Sequence, residues 1–327
     1  MAEPARSWAG LAALLALTAA AAEPAMPVAP AGLRRPFTSL KPTATLRVGA
    51  TADWVVIDGD SVWVASTRPD AVHRIDRAGG REVATVALPG EPCAGLALGF
   101  GSLWVPLCAK PNALARVDLA SNRVSAVLQS GPAAAEGGIA AGGDSVWLVT
   151  DADGTLSRID PASNTVRQRI QLPAGSFNAR YDNGIVWVTR ATGAELTAVA
   201  AISGAIIASI PTGPRPRFLC AGEGTIWTLN QGDGSLTRID VATRRATATV
   251  ALGTPGHGGD IDVRGGMVFT TMPGTPLTAT NAASATVERQ WVGRGGDSLA
   301  VATDAVWLTD YKRGTIARYP LERLFAR

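Results

Sequence analysis

An aromatic residue between apolar neighbours recurs about every 40 positions along this chain of 327 residues. The aromatic positions, spaced by 41, 43, 40, 40, 42 and 38 residues, are Trp63, Trp104, Trp147, Trp187, Trp227, Phe269 and Trp307. Seven units of this length are typical of a β-propeller, in which each unit forms one blade of four short strands around a central channel. We expect the aromatic residue to fill the wedge between neighbouring blades rather than to stack on a ligand.

A second motif marks the third strand of a unit and the turn after it. About eleven residues after the aromatic position come Arg, an apolar residue and Asp, at 74–76, 116–118, 158–160 and 238–240. The Asp is expected to start a turn, as in the segment 160–163 (Asp-Pro-Ala-Ser), and the Arg to be solvated or to brace that turn. A β-branched strand follows, which completes four strands per unit.

The two ends of the chain predict how the ring closes. The seventh unit stops after its third strand, and an unpaired strand at 45–48 with the pattern of a fourth strand precedes the first unit. We expect that N-terminal strand to complete the last blade and close the ring, since closure removes the open edges. The predicted fold class is therefore all-β, a seven-bladed β-propeller of four-stranded blades over residues 43–327.

The first residues resemble a targeting segment. In residues 1–22, Arg6 precedes a small, apolar run that ends in four alanines, which predicts a secretory signal peptide. The run is shorter than the roughly 20 residues that a membrane span needs. Residues 23–42 are rich in Pro and Ala and are predicted to be an extended leader to the first strand. The sequence therefore predicts a periplasmic or secreted protein without a membrane span after cleavage.

The same strand pattern predicts which of the three cysteines are paired. A turn between Leu98 and Leu103 pairs two neighbouring strands, and the same register continued outward places Cys93 opposite Cys108. Export to an oxidising compartment favours a disulfide between them, and two reduced packing residues are the alternative. Cys220 lies within an inner strand of the fifth unit and is predicted to be a buried free thiol.

Polar residues are unevenly distributed over the inner strands. Units two and three have Ala and Gly there, whereas units four to seven carry Asn178, Arg180, Arg215, Arg217, His257, Asp260, Asp262 and Asp297. We predict that these residues line a funnel at one end of the channel, the usual ligand-binding mouth of a propeller. Two interpretations stay open, because the charges could neutralise one another in a structural ring of ion pairs or could bind a ligand. The arginines favour an anionic or oxygen-rich ligand, since their planar forks suit carboxylate and phosphate.

Composition narrows the function classes. A hydrophobic content of 46% excludes a disordered chain, and a net charge of +3 argues against nucleic acid or an anionic membrane as the partner. With two His and three Cys, the chain has no zinc-finger framework, and no motif predicts a metal site. No nucleophile elbow, Walker loop or His-Glu-x-x-His motif occurs either.

The blade signature resembles a known family. The segments 238–243 (RIDVAT) and 248–253 (ATVALG) are similar to the YVTN-type seven-bladed propellers and their relatives, the streptogramin (virginiamycin B) lyases. This resemblance covers the propeller domain and implies the fold. It also implies, for a lyase, a pair of His, a Glu and Mg²⁺ near the funnel, for which His257 with Asp260 or Asp262 would be the candidates.

The sequence therefore predicts an exported, monomeric propeller that acts as a binding or protein-interaction module through its central funnel. A lyase-like or lactone-directed enzyme that uses His257 is the alternative. No cofactor is firmly implied, although the lyase alternative would need Mg²⁺.

Overall fold

A computed structural model describes residues 31–326, which form the predicted seven-bladed propeller of four-stranded antiparallel blades. The first eighteen strands are β1 Arg34–Pro36, β2 Ala44–Arg47, β3 Thr51–Asp58, β4 Ser61–Thr67, β5 Ala71–Asp76, β6 Arg81–Ala87, β7 Ala97–Gly99, β8 Ser102–Leu107, β9 Ala113–Asp118, β10 Arg123–Leu128, β11 Ile139–Gly142, β12 Ser145–Val149, β13 Thr155–Asp160, β14 Thr165–Gln171, β15 Ser176–Asp182, β16 Ile185–Arg190, β17 Glu195–Ala200 and β18 Ile206–Pro211. The others are β19 Pro216–Gly222, β20 Thr225–Asn230, β21 Ser235–Asp240, β22 Arg245–Ala251, β23 Asp260–Arg264, β24 Met267–Met272, β25 Thr275–Asn281, β26 Thr286–Val292, β27 Leu299–Val301, β28 Ala305–Asp310 and β29 Thr315–Pro320. Short helices cover Ala31–Leu33, Phe37–Ser39, Tyr311–Arg313 and, as α1, Leu321–Leu324.

Blades one to six use consecutive strands, from β3–β6 in blade one to β23–β26 in blade six. The first strand of each blade lines the channel and the fourth forms the outer rim. We call the end of the channel where the loops enter these first strands the upper face, and the opposite end the lower face.

The predicted ring closure is confirmed. Strand β2 pairs antiparallel with β29, with Ala44 opposite Arg318 and Leu46 opposite Ile316, so blade seven consists of β27, β28, β29 and β2. The N-terminal strand thus joins the last blade to the rest of the ring.

The segment before β2 also packs on the propeller. Strand β1 adds to the outer edge of blade six, parallel to β26, with Arg34 opposite Gln290. The ring of Phe37 lies 5.7 Å from that of Tyr319, between centroids. The predicted leader therefore includes a short strand that its sequence, without apolar periodicity, does not indicate. The predicted signal peptide and residues 23–30 lie outside the described residues.

The recurring aromatic residues fill the wedges between blades, as predicted. All seven are fully buried, with at most 1% of their surface exposed: Trp63, Trp104, Trp147, Trp187, Trp227, Phe269 and Trp307. The Asp of the second motif starts its turn, and in blade two Asp118 accepts hydrogen bonds from the backbone N–H and hydroxyl of Ser121.

The Arg of the second motif braces a turn, one of the two roles expected, but it is the turn of the next blade and not of its own. The guanidinium of Arg116 lies 5.0 Å from the ring centroid of Trp104 and donates a 2.8 Å hydrogen bond to Ser102 of its own blade. It also donates to the side chain of Asn164 in blade three, at 3.0 Å. Arg74 makes the corresponding contacts from blade one to blade two. The arginine therefore holds the turn of the next blade against the aromatic wedge residue of its own.

We expect Arg116→Met to lower the free energy of unfolding by about 2 kcal/mol, because several partly buried hydrogen bonds to a charged group and a cation–π contact are lost. Arg123→Met is the matched control, since Arg123 is an exposed arginine of the same blade. That change should stay within about 0.5 kcal/mol of the parent protein. Urea unfolding of the three proteins measures both effects, and equal stability of the two variants would contradict an inter-blade role.

Candidate functional site

The central channel opens at both faces and is nearly closed in the middle. At the upper face lies a cavity of about 220 Å³. We call it the acidic mouth, because its walls carry the carboxyl groups of Asp53, Glu91, Glu136 and Asp297. A cavity of about 300 Å³ opens at the lower face. Between them only about 10 Å³ remains, at the lower limit of what a single water molecule needs. A ligand can therefore enter from either face but cannot pass through.

Trp54 forms the floor of the acidic mouth. It is the extra residue of a β-bulge in β3, where the pairing with β4 shifts between Asp53 and Val55, and its φ of 51° is left-handed. The bulge turns the indole into the channel. There its ring lies 6.0 Å from that of Phe218, which belongs to blade five on the far side of the ring. A strained residue of blade one thus closes the channel by packing against the opposite wall.

Asp53 and Asp297 form an interacting carboxyl pair above this floor. Burial, with the charge of Asp297, raises the pKa of Asp53 well above its ordinary value. Burial, with the charges of Asp260 and Glu136, raises the pKa of Asp297 to about 6, against the opposing effect of a hydrogen bond with Asp53, which lowers that pKa. The pair therefore retains a proton more readily than two separate carboxyl groups would.

The predicted disulfide is confirmed, but the strand register around it is not the one extrapolated from the turn. Cys93 and Cys108 are bridged with their Cα atoms 5.7 Å apart. Pro92 lies opposite Leu107, so the pairing has shifted by two residues from that of Leu98 with Leu103. The cysteines are therefore diagonal neighbours on adjacent strands rather than directly opposed residues, and they still lie within bridging distance.

The bridge fixes the loop that carries Glu91, and a backbone hydrogen bond joins this loop to the one that carries Glu136. The backbone N–H of Cys108 donates to the carbonyl oxygen of Glu91 at 3.0 Å, and the N–H of Glu136 donates to that of Cys93 at 2.7 Å. The loops of blades two and three are therefore tied together at the rim of the acidic mouth. Cys220 is the buried free thiol predicted from its place in the inner strand.

Arg215 and Arg217 lie beside the acidic mouth, in a separate upper-face cavity of about 790 Å³. The guanidinium of Arg217 lies 4.2 Å from the ring centroid of Phe177 and forms a 2.7 Å ion pair with Glu136. Arg215 donates a 3.0 Å hydrogen bond to Nδ1 of His257. His257 therefore uses Nδ1 as an acceptor, and its partner is a cation rather than a carboxylate.

Asp260 and Asp262 join blade six to blade seven. Asp260 accepts hydrogen bonds from the hydroxyl of Ser298 at 2.6 Å and the N–H of Leu299 at 3.2 Å. Asp262 accepts from the N–H of Val301 at 2.8 Å. Burial raises the pKa of both groups, that of Asp262 to about 6. These contacts give both acids a structural role between inner strands.

Arg180 and Asn178 occupy the narrow middle of the channel. Arg180 also reaches the lower cavity, and its Nε donates to the carbonyl oxygen of Leu219 at 3.3 Å. Its charge lowers the pKa values of Asp260 and Asp262 against the larger effect of burial, although no carboxylate of the described residues lies within 4 Å of it. Asn178 lies against Gly138, where an added Cβ atom would overlap its Oδ1. That glycine is therefore required by the neighbouring side chain.

The predicted site residues are thus not brought together in one site. Asp297 lines the acidic mouth, and Arg180 lies below Trp54. The neighbouring upper-face cavity is lined by Arg215 and Arg217. The alignment of the seven inner strands did not identify Asp53, Glu91 and Glu136 as site residues, because it assigned the polar residues of the funnel to units four to seven. The available signal was an acidic residue just before, or at the start of, the inner strands of units one to three.

The residues proposed for the lyase alternative do not form a metal site. Within residues 31–326, no three His, Cys, Asp or Glu side chains are arranged so that they could hold a metal ion. His257 faces Arg215, and the oxygens of Asp260 and Asp262 accept backbone and hydroxyl hydrogen bonds. The arrangement expected from the lyase resemblance, with paired His and Mg²⁺, therefore has no counterpart among these residues.

Known structures share this fold at low sequence identity. BamB from Moraxella catarrhalis is 11% identical, with a TM-score of 0.61 over 88% of this chain and 99% of that one. The computationally designed Ika8 protein is 10% identical, with a TM-score of 0.65 over 86% of this chain and 99% of that one. At such identities the similarity supports the propeller fold alone.

The sequence comparisons do not assign the chain to a family. No protein-family model matches the chain. No curated protein matches it either. The similarity to YVTN-type propellers and streptogramin lyases therefore stays a resemblance of the blade signature. Among the described residues, none of the helices is both long and apolar enough to span a membrane.

Proposed function

We propose that this protein is an exported binding module whose acidic mouth receives a cationic group, presented by a small ligand or by the surface of a partner protein. The observation that carries the proposal is that Asp53 and Asp297 line one cavity with Glu91 and Glu136, above the floor formed by Trp54. The raised pKa values of Asp53 and Asp297 support it. Two buried carboxyl groups repel each other when both are ionised, and a cation between them removes that repulsion.

The walls of the acidic mouth fit an ammonium or guanidinium group. The cavity of about 220 Å³ is smaller than the roughly 300 Å³ or more typical of drug-sized ligands, so it suits the end of a side chain. Trp54 forms its floor and Tyr311 part of its wall, and aromatic faces favour cations. Glu91 has no ion-pair partner among the described residues, whereas Glu136 is paired with Arg217. A lysine-like or arginine-like group is therefore the preferred occupant.

Export is part of the same proposal. The disulfide between Cys93 and Cys108 supports an oxidising compartment. The predicted signal peptide over residues 1–22 agrees with it, and we place the mature protein in the periplasm or outside the cell.

The anionic ligand predicted from the arginines is a second proposal, at a different place. Arg215 and Arg217 line the cavity next to the acidic mouth, and Arg215 has no carboxylate partner among the described residues. A partner that offers a basic side chain to the mouth and a carboxylate to Arg215 would use both parts of the upper face.

N-acetyl-arginine amide and N-acetyl-lysine amide are suitable probes, with N-acetyl-norleucine amide as the uncharged control. We expect the charged probes to raise the melting temperature of the parent protein, and more so at pH 7.5 than at pH 5, because the cation competes with protonation of the carboxyl groups, whose pKa values are raised. Asp297→Asn should remove the response. Asp58→Asn should keep it, because Asp58 lies at the exposed lower end of the inner strand β3. An equal response of both variants, or of the uncharged probe, would contradict the proposal.

A further inference from the structure

The lower cavity of the channel has an arginine at its closed end. The cavity has a volume of about 300 Å³ and opens at the lower face. Arg180 lines both this cavity and the narrow middle of the channel, where only about 10 Å³ remains. A molecule that enters from the lower face therefore meets the guanidinium of Arg180 where the cavity ends.

Arg180 belongs to a layer of inner-strand residues, each of which lies opposite the recurring aromatic residue of its own blade. All members of this layer line the lower cavity, and they are Val56, Ala97, Ala140, Arg180, Cys220, Asp262 and Ala300. Only Arg180 and Asp262 bring charge to this level of the channel, since the other members are small or apolar. A charged group among such neighbours needs a partner or water.

The two charged residues of the layer differ in their partners. Both carboxylate oxygens of Asp262 accept backbone hydrogen bonds, from the N–H of Val263 at 2.9 Å and from that of Val301 at 2.8 Å. Arg180 donates from Nε to the carbonyl oxygen of Leu219 at 3.3 Å, and within residues 31–326 its two terminal nitrogens have no hydrogen-bond partner. No ion pair joins Arg180 to Asp262 among the same residues. The end of the guanidinium is therefore available to an anion in the cavity.

The wall between this layer and the lower opening is mostly apolar. It is formed by Ile57, Leu98, Ala141, Tyr181, Ala221 and Val301. Charges of both signs lie at the opening itself, where Asp58, Asp182 and Arg264 are the last residues of their inner strands. The opening therefore favours neither sign, whereas the closed end favours an anion and the wall favours an apolar chain.

We propose that the lower cavity binds a small apolar carboxylate, whose carboxylate group pairs with Arg180 and whose hydrocarbon chain lies against the apolar wall. The planar fork of an arginine can hold both oxygens of a carboxylate. A volume of about 300 Å³ is at the lower end of the range for ligand pockets, so it suits a short chain. This site is separate from the acidic mouth and from Arg215, which lie at the upper face.

Isothermal titration calorimetry of the protein with acetate, butyrate and hexanoate tests the proposal. We expect the affinity to rise with chain length, by about fourfold for each methylene group that enters the cavity. Hexan-1-ol has the same chain length without the charge and should bind at least about tenfold more weakly than hexanoate. N-acetyl-leucine represents the other source of this chemistry, the end of a peptide chain, and tighter binding than that of hexanoate would identify a peptide carboxylate as the occupant.

Variants of two arginines locate the bound carboxylate. Arg180→Met should weaken hexanoate binding at least about tenfold, because a two-point contact between charged groups is lost. Arg180→Lys keeps the charge without the planar fork and should recover part of the affinity. Arg215→Met is the matched control, since Arg215 is an upper-face arginine without a carboxylate partner among the described residues, and it should leave the affinity unchanged. Circular dichroism verifies that each variant is folded.

Two results would overturn the proposal. One is a parent protein that binds hexanoate no more tightly than hexan-1-ol, a result that needs no variant. The other is hexanoate binding that Arg180→Met leaves unchanged, or that Arg215→Met weakens equally, since the carboxylate would then lie elsewhere. The probes for the acidic mouth are cations, so the proposal for that cavity is tested separately.

Discussion

A mature chain that starts at Gly49 is expected to melt on the order of 10 °C lower than one that starts at Lys41. The shorter chain lacks β2, whose pairing with β29 joins the first and last parts of the propeller. It also loses the hydrogen bonds from the N–H groups of Thr43 and Val48 to the carbonyl oxygens of Arg318 and Gly314. Several backbone hydrogen bonds between strands, at about 1 kcal/mol each, and an opened ring account for the size of the effect.

The chain that starts at Lys41 controls for the effect of shortening the N-terminal segment while β2 is kept. It lacks β1 and the packing of Phe37 on Tyr319, but it keeps β2. We expect its melting temperature to stay close to that of the mature protein, because β1 pairs along three residues at an outer edge. Differential scanning calorimetry of the three proteins makes the comparison. If the two shortened chains melted together, ring closure would not stabilise the fold.

The fold was predictable because its signals repeat. A buried aromatic residue is needed in each wedge, so Trp63 and its six counterparts recur at the length of one blade. The strand at 45–48 had no partner in its own unit, which left the last blade as its place. Strand β1 was not predictable, since its three residues contribute backbone pairing and expose their side chains.

The site was less predictable, because it depends on contacts between distant blades. Trp54 has the sequence pattern of one more apolar strand residue, and only the bulge in β3 turns it across the channel onto Phe218. Asp53 and Asp297 are far apart in sequence and meet only because the ring closes blade seven onto blade one. The disulfide was predicted correctly even though the register at the bridge differs from the extrapolated one.

Stability is expected to fall as the pH rises from about 4 to about 6.5. A carboxyl group with a raised pKa binds its proton more tightly in the folded state than in the unfolded state, so folding is favoured at low pH and loses that advantage as the pH rises through the folded pKa. Asp53, Asp260, Asp262 and Asp297 all have raised pKa values, those of Asp262 and Asp297 lying at about 6. Carboxylates with lowered pKa values, such as Asp144 at about 2, stabilise the folded state when ionised. Their contribution is lost only as the pH falls below about 4.

Replacing Asp297 by Asn should remove a large part of this decline. A rise in the pKa of Asp297 from 3.8 to about 6 corresponds to roughly 2–3 kcal/mol, so the variant should be more stable than the parent protein by on the order of 2 kcal/mol at pH 7 and about equally stable at pH 4. Urea unfolding midpoints at a series of pH values measure the difference, with Asp58→Asn as the control. If the parent and Asp297→Asn curves ran parallel between pH 4 and 7, burial and the neighbouring carboxylates would not disfavour the charged form of Asp297. The reason for a cation to enter the acidic mouth would then be lost.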